Sequence, residues 1–352
     1  MKPLALRGYP TADTDPVIPL QCRGLPRNRN APNLLLPAGP TCVRLCHVDT
    51  REQQNLKEQS IGVFDSGLGG LTVVREIHRV LPGEDIIYVG DTARAPYGIR
   101  PLETIRRFAQ QITDFLLRYS PKMIVIACNT ASAAAGELLE KSCPVDLVDA
   151  IRPGASAALE RTAGPVGVIA TETTVRSGAY ERAVHAIDPN RRVISAACPL
   201  LVPIIEEGRS PDDAVVVAVL SDYLHRLQRD LKPANSFKAV PCVDGKPPAA
   251  LVLGCTHYPL LEGAIAKVMG PHVGLVSSAK AAAKEAQRKL YLKGIHSDRC
   301  SGGGLRCFTT ADPQRFTRLG ERFGGRQLDS VEHIELDELE KPAAATSDRR
   351  QD

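Results

Sequence analysis

Two short segments of this chain set a cysteine in nearly the same surroundings: MIVIACNTAS at 123–132 and ALVLGCTHYP at 250–259. Each is an apolar, β-branched run of strand length that ends in a small residue, then Cys, then hydrogen-bonding side chains. Two thiols facing each other across a cleft form a symmetric acid/base pair, suited to moving a proton from one face of a carbon to the other. Cys128 directly precedes a helical pattern, so the positive helix end and its free N–H groups are expected to favour the thiolate. A free thiol, with a pKa of about 8.5, already lies near the range of a useful base. A small buried hydrophobe is the other role such a cysteine can play. The matched pair, flanked by Asn129, Thr130, Thr256 and His257, is what favours chemistry.

Further polar residues stand at the ends of other apolar runs. FDSGLGG (64–70) puts Asp65 and Ser66 ahead of a Gly-rich turn that enters a helix. The string fits neither GxGxxG nor GxxxxGK[ST], so a nucleotide site is not implied. A carboxylate and a hydroxyl there suit a small amino-acid ligand or the orientation of a thiol, and capping of the next helix is the alternative for Asp65. DTARAPYG (91–98) offers Pro96 and Gly98 as a turn whose backbone can face a ligand, with Tyr97 as a wall; an ordinary turn reads equally from the residues. Glu206, beyond the run at 192–197, carries little weight from its local sequence. His257 lies two residues past Cys255, placed to polarise it or to sit as a satisfied loop histidine.

The elements that must position these groups alternate. Strands are expected at 61–64, 86–89, 123–127, 145–148, 166–170, 192–197, 250–253 and 273–276, with helical patterns at 70–80, 102–119, 131–141, 154–162, 175–187, 211–230, 260–269 and 279–291. Short apolar strands separated by helices imply an α/β fold with mostly parallel sheets covered on both faces. IGVFDS (61–66) parallels VGVIAT (166–171). Gly62 and Gly167 are 105 residues apart, whereas Cys128 and Cys255 are 127 apart; the excess of 22 falls at 231–250, a Pro- and Gly-containing stretch that reads as an inserted loop. Two like domains with a cleft at their strand C-termini follow.

With 352 residues and 43% hydrophobic content the chain can bury two cores, and a net charge of +4 gives no electrostatic case for nucleic acid. No apolar run reaches membrane-spanning length, and no secretory signal opens the chain, so a cytoplasmic protein with reduced thiols is expected. Cys42 and Cys46 followed by His47 form the only close pair with metal-like spacing, without a second pair nearby. Residues 1–59, with eight prolines in the first 58, are expected to be a disordered N-terminal extension, a transit peptide being the alternative; regular structure should begin at Ile61, and 337–352 should be a flexible tail.

Taken in order, IGVFDSGLGGLTV, YVGDTARAPYG, ACNTAS, GVIATETTVRSGAY, CPLLVPIIEEG and LGCTHYPLL, with TTADPQRF at 309–316, resemble the successive motifs of the glutamate racemase family over about 60–336. These are cofactor-independent enzymes of bacterial cell-wall precursor synthesis. The resemblance implies that Cys128 and Cys255 are the two proton donors and acceptors, assisted by Asp65 and His257 respectively, with Glu206 an acidic residue on the second side. It implies that Asp65, Ser66, Pro96, Tyr97, Gly98, Asn129, Thr130, Thr256 and His257 hold glutamate, with no cofactor, no metal, and a possible homodimer. It also implies two pseudo-symmetric α/β domains, 60–152 with 277–336 and 153–276, with the active site in the cleft between them. Ser277 stands where the family usually has Asp. The alternatives are an aspartate or other racemase of the same superfamily, a catalytically silent amino-acid-binding homologue, and a thiol-redox or zinc protein.

Overall fold

The computed structural model describes residues 50–231, 249–328 and 330–341. Ten strands fall in chain order at β1 (Ile61–Asp65), β2 (Ile86–Gly90), β3 (Met123–Ile126), β4 (Asp146–Asp149), β5 (Val166–Ala170), β6 (Val193–Ala197), β7 (Ala249–Gly254), β8 (Val273–Ser277), β9 (Leu305–Thr309) and β10 (Val331–His333). Between them run α1 (Thr50–Glu58), α2 (Leu71–Val80), α3 (Leu102–Leu117), α4 (Asn129–Ser142), α5 (Ile151–Arg161), α6 (Glu172–Arg176), α7 (Ala179–His185), α8 (Leu201–Glu206), α9 (Ala214–Leu231), α10 (Glu262–Met269), α11 (Ser278–Lys293), α12 (Pro313–Gly324) and α13 (Leu336–Glu340).

The strands form two sheets, ordered β10-β9-β2-β1-β3-β4 and β6-β5-β7-β8, and every pairing is parallel. The second sheet repeats the second-first-third-fourth order of β2-β1-β3-β4. Register makes the repeat quantitative. Gly62 pairs with Ile124 and Gly167 with Leu251, and in both halves the cysteine follows that partner by four residues. β1, β3, β5 and β7, apolar except for Asp65 at the end of β1, are buried along their whole length, as parallel strands covered by helices on both faces must be. α11 packs on both α2 and α5, and its small face of Ala279, Ala282, Ala283 and Ala286 allows the close approach.

Three expectations at the chain's ends need correction. Regular structure begins before Ile61, because Thr50–Glu58 is helical. That segment is polar with a single leucine, so no apolar period announces it; it docks through Leu56 and a buried ion pair. Lys122 Nζ lies 2.5 Å from Glu84 Oε2, both side chains at most 2% exposed, and donates to the carbonyls of Lys57 (2.9 Å) and Ile295 (3.1 Å). Leu336–Glu340 is likewise a helix rather than tail, with Leu339 buried against the α3 side of the first sheet. The strands β9 and β10 were absent from the expected set: β9 is half exposed at its start and β10 has three residues. The insertion at 231–250 lies outside the described residues from 232 to 248, as do residues 1–49, including Cys42, Cys46 and His47, and 342–352. Among the described residues no helix is long and apolar enough to cross a membrane.

Candidate active site

The C-terminal ends of strands from both sheets open on one cavity of about 600 Å³. Ser66, Pro96, Tyr97, Gly98, Cys128, Asn129, Thr130, Glu206, Cys255, Thr256 and His257 all line it, and of the sequence-derived set only Asp65 stands behind its wall. Cys128 caps α4, its Sγ accepting from the Ala131 N–H at 3.4 Å and lying 3.7 Å from Ser66 Oγ. Asp65, fully buried at the end of β1, accepts from the Gly67 N–H at 2.9 Å and so shapes the Gly-rich turn, while its carboxylate is the charged neighbour of the Cys128 thiol. The alternative that Asp65 caps the next helix does not hold, because Gly70 stands at the start of α2 without a side-chain cap.

The ready thiolate expected at Cys128 is not what the surroundings produce. Burial, reinforced by the neighbouring Asp65 carboxylate, pushes the Cys128 thiol up to about 12; the helix N–H pulls it down but is outweighed. Burial also raises Asp65 above the usual carboxylate range, against the pull of His257 and of backbone N–H groups. A carboxylate so placed is the natural acceptor for the thiol's proton.

Cys255 is served differently. Its Sγ lies 3.9 Å from His257 Nδ1, and His257 Nε2 lies 2.9 Å from Glu206 Oε1. Burial works against a charge on His257, yet the Cys255 sulfur and the Glu206 carboxylate together push it up to about 10. The same contact holds Glu206 below the usual carboxylate range, with burial opposing and Arg315 adding a smaller pull. Phe323 of α12 packs edge-on against the His257 ring, centroids 5.1 Å apart. Glu206, nearly silent in the sequence, is thus the residue that orients the imidazole.

The donors expected to face a ligand are arranged otherwise. The Asn129 side chain turns away: its Oδ1 accepts from the Tyr180 hydroxyl (2.6 Å) and its Nδ2 donates to Ser278 Oγ (3.3 Å). Thr130 Oγ1 is shared with Thr171 (2.9 Å) and Thr174 (3.2 Å). What these residues offer the cavity is backbone, since first-turn N–H groups of α4 have no intrahelical partner and draw anions. Tyr97 donates its hydroxyl to Asp91, leaving its ring as wall, and Gly98 lies so close to Thr171 that a Cβ would be 2.8 Å from that residue's Cβ. Thr171, Tyr180, Arg315 and Phe316 were not singled out from the sequence. Asp312-Pro313 was a readable helix start, since Asp312 caps α12 and Pro313 opens it. Ser277 caps α11 by accepting from the Lys280 N–H at 3.3 Å.

Comparison with known proteins agrees with this geometry. The family model for Asp/Glu/Hydantoin racemase matches residues 61–286. The chain is 43% identical over 277 residues to a glutamate racemase of Syntrophus aciditrophicus, spanning 78% of this chain and 96% of that protein. A solved glutamate racemase isoform of Bacillus anthracis superposes with a TM-score of 0.71 at 39% identity, over 80% of this chain and 98% of that one. The enzyme of Francisella tularensis, solved in complex with D-glutamate, superposes at 0.69 with 36% identity, over 80% and 99%. The chain belongs to the Asp/Glu/hydantoin racemase family and is an isomerase that racemises amino acids.

Proposed function

We propose that this protein interconverts L- and D-glutamate by a two-base reaction at Cys128 and Cys255, needing no cofactor, and that in the cell it supplies D-glutamate for peptidoglycan precursors. The observation that carries the reading is the pair of thiols at equivalent register positions of two sheets, both opening on one cavity and each with its own proton-handling neighbour. Residues 60–152 with 277–336 would form one domain of the cleft and 153–276 the other.

In the L-to-D direction Cys255, as thiolate, removes the α-proton while Cys128, as thiol, protonates the opposite face; the reverse reaction exchanges the roles. Without an electron sink the developing carbanion must be met by fixed dipoles in a dry site. The N–H groups of Asn129 and Thr130 at the start of α4 and the buried Thr256 and His257 beside Cys255 are the candidates to hold the substrate carboxylate. Asp65 and Ser66 suit the ammonium or the first thiol. Asp65 accepts the proton of the high-pKa Cys128 thiol when that thiol acts as base, and His257 handles the corresponding proton for Cys255.

Circular dichroism of pure L- or D-glutamate measures turnover, and NMR in deuterated solvent measures α-hydrogen exchange. Cys128→Ala and Cys255→Ala are each expected to abolish racemisation in both directions. Two-way turnover in either variant would sink the two-base reading. Faster turnover of aspartate than of glutamate by the parent protein would reassign the substrate, and binding of glutamate without α-exchange would make it a silent homologue.

A further inference from the structure

A two-thiol racemisation leaves the protein in a different state from the one in which it began. After L-glutamate has become D-glutamate, Cys255 carries a proton and Cys128 is a thiolate. The next L-glutamate needs the opposite arrangement, so one proton must return from Cys255 to Cys128 between turnovers. Both cysteines are largely buried, Cys128 4% exposed and Cys255 6%, and meet solvent only through the cavity they line, so return through solvent is the route against which an internal one competes.

Buried groups span the distance between them. Cys255 Sγ is 3.9 Å from His257 Nδ1, and that same nitrogen is 3.4 Å from Thr256 Oγ1. Thr256 Oγ1 is in turn 3.4 Å from Asp65 Oδ1, whose buried carboxylate is the charged neighbour of the Cys128 thiol. Resting on the two-thiol reading above, we propose that Thr256 is the central link of an internal proton-return path that resets the two thiols between turnovers. Thr256 is a positioning residue in this role, carrying a proton between the two helpers rather than to the substrate.

The return step balances without any outside reactant. The imidazolium N–H at Nδ1 of His257 passes its proton to Thr256 Oγ1, which releases its own to Asp65. The carboxylic acid so formed protonates the Cys128 thiolate, and the Cys255 thiol reprotonates Nδ1. Cys255 ends as thiolate and Cys128 as thiol, with His257, Thr256 and Asp65 as they were. The surroundings hold the link in place: Glu206 at 2.9 Å fixes Nε2 and so keeps Nδ1 turned inward, and the Thr256 carbonyl accepts from the Thr72 hydroxyl at 2.9 Å. Gly69 faces Thr256 and His257 directly, where a Cβ would be 2.2 Å from Thr256 Oγ1. Burial raises Asp65 and the two flanking partners raise His257, so both ends of the link can hold a proton. Spans of 3.4 Å close to working hydrogen bonds with a sub-ångström shift, as catalytic contacts of unliganded sites do.

The test is tracer counter-transport. A trace of radiolabelled racemic glutamate is mixed with unlabelled L-glutamate far above KM, and the enantiomer ratio of the label is followed during net conversion. Slow return would let the form that binds D-glutamate accumulate, and label would drift towards L-glutamate. The parent protein is expected to keep its label racemic even in minimal buffer. Thr256→Val should show the drift, and Thr256→Ser should suppress it. Drift in the parent that small acid–base buffers relieve would overturn the proposal, because return would then run through solvent. A Thr256→Val variant that turns over without drift would overturn it equally, and should that variant not turn over, the parent in minimal and added buffer decides. Failure of the two-thiol reading itself would show separately, as turnover in a cysteine-to-alanine variant.

Discussion

Adding a single methyl group at Gly69 should disable the site while leaving the fold in place. Gly69 has no positive φ, so alanine meets no backbone penalty there, and the whole effect is steric. The added Cβ would fall 2.2 Å from Thr256 Oγ1 and 2.5 Å from His257 Nδ1. Carbon makes ordinary contact at about 3.5–4.0 Å, so one or both groups must retreat by more than about 1 Å. Neither is free to do so: His257 is held by Glu206 at 2.9 Å and packed on Phe323, and Thr256 is tied by its carbonyl to Thr72. Overpacking of this kind costs about 1–3 kcal/mol of stability. A displacement of about 1 Å at reacting groups costs on the order of 10²-fold in rate, or about 2.7 kcal/mol of barrier. The assay is circular dichroism from each pure enantiomer, with a thermal melt. The equilibrium constant between enantiomers is unity, so kcat/KM must fall by the same factor in both directions, although kcat and KM can diverge. Gly263→Ala in α10, where a Cβ meets nothing within 4 Å, is the control and should be neutral or slightly stabilising. An unchanged kcat/KM in a normally folded Gly69→Ala variant would refute the reasoning.

Other outcomes follow from the same contacts. His257 is raised from 6.5 to about 10 in the folded protein, so its share of stability is full below about 6.5 and is lost as pH rises through about 10. Glu206→Gln removes part of that share, and its melting deficit relative to the parent should be largest near pH 6 and shrink towards pH 10; a deficit that grows with pH would contradict the pairing. Lys122→Met leaves Glu84 buried without its cation and takes a donor from two carbonyls, so chemical denaturation should show a loss of about 3–5 kcal/mol. Glu84→Leu added to it should recover only part, because the Ser297 N–H, 2.6 Å from Glu84 Oε1, then loses its acceptor. Tyr180→Phe leaves the buried Asn129 Oδ1 without its 2.6 Å donor, and a stability loss of about 1–3 kcal/mol with lowered kcat/KM is expected; restoration of activity in Tyr180→Phe by substrate excess alone would mean that Asn129 matters only to binding.

The fold was legible wherever burial leaves no choice of residue. β1, β3, β5 and β7 are apolar runs because both faces are covered, and the cysteine that follows β3 and β7 is marked by the change from Val, Ile and Leu to hydrogen-bonding residues. β9 and β10 escaped because edge and near-edge strands keep polar residues, and α1 escaped because an ion pair and backbone carbonyls anchor it rather than an apolar stripe. At the site, residue types were legible but their orientations were not. Nothing in the string ACNTAS says that the Asn129 amide faces Tyr180 and Ser278, since both partners come from the far half of the chain. Glu206 illustrates the same limit, because its meaning depends on a histidine 51 residues away.

The expected asymmetry of the two thiols also changes character once the contacts are known. Sequence spacing makes Cys128 and Cys255 equivalent, and the sheets keep them so in register. Their neighbours are opposite in kind: an acid behind Cys128 and a base beside Cys255, joined by the Thr256 hydroxyl. When charged, Asp65 and His257 attract one another, and His257 is among the groups that pull Asp65 down against burial. Passing a proton from His257 to Asp65 through that hydroxyl turns an ion pair into two neutral groups, so neither state leaves a lone charge in the buried space between them. In the proposed two-thiol reaction, this departure from symmetry among the helpers gives each thiol its own partner for the proton it gains or loses.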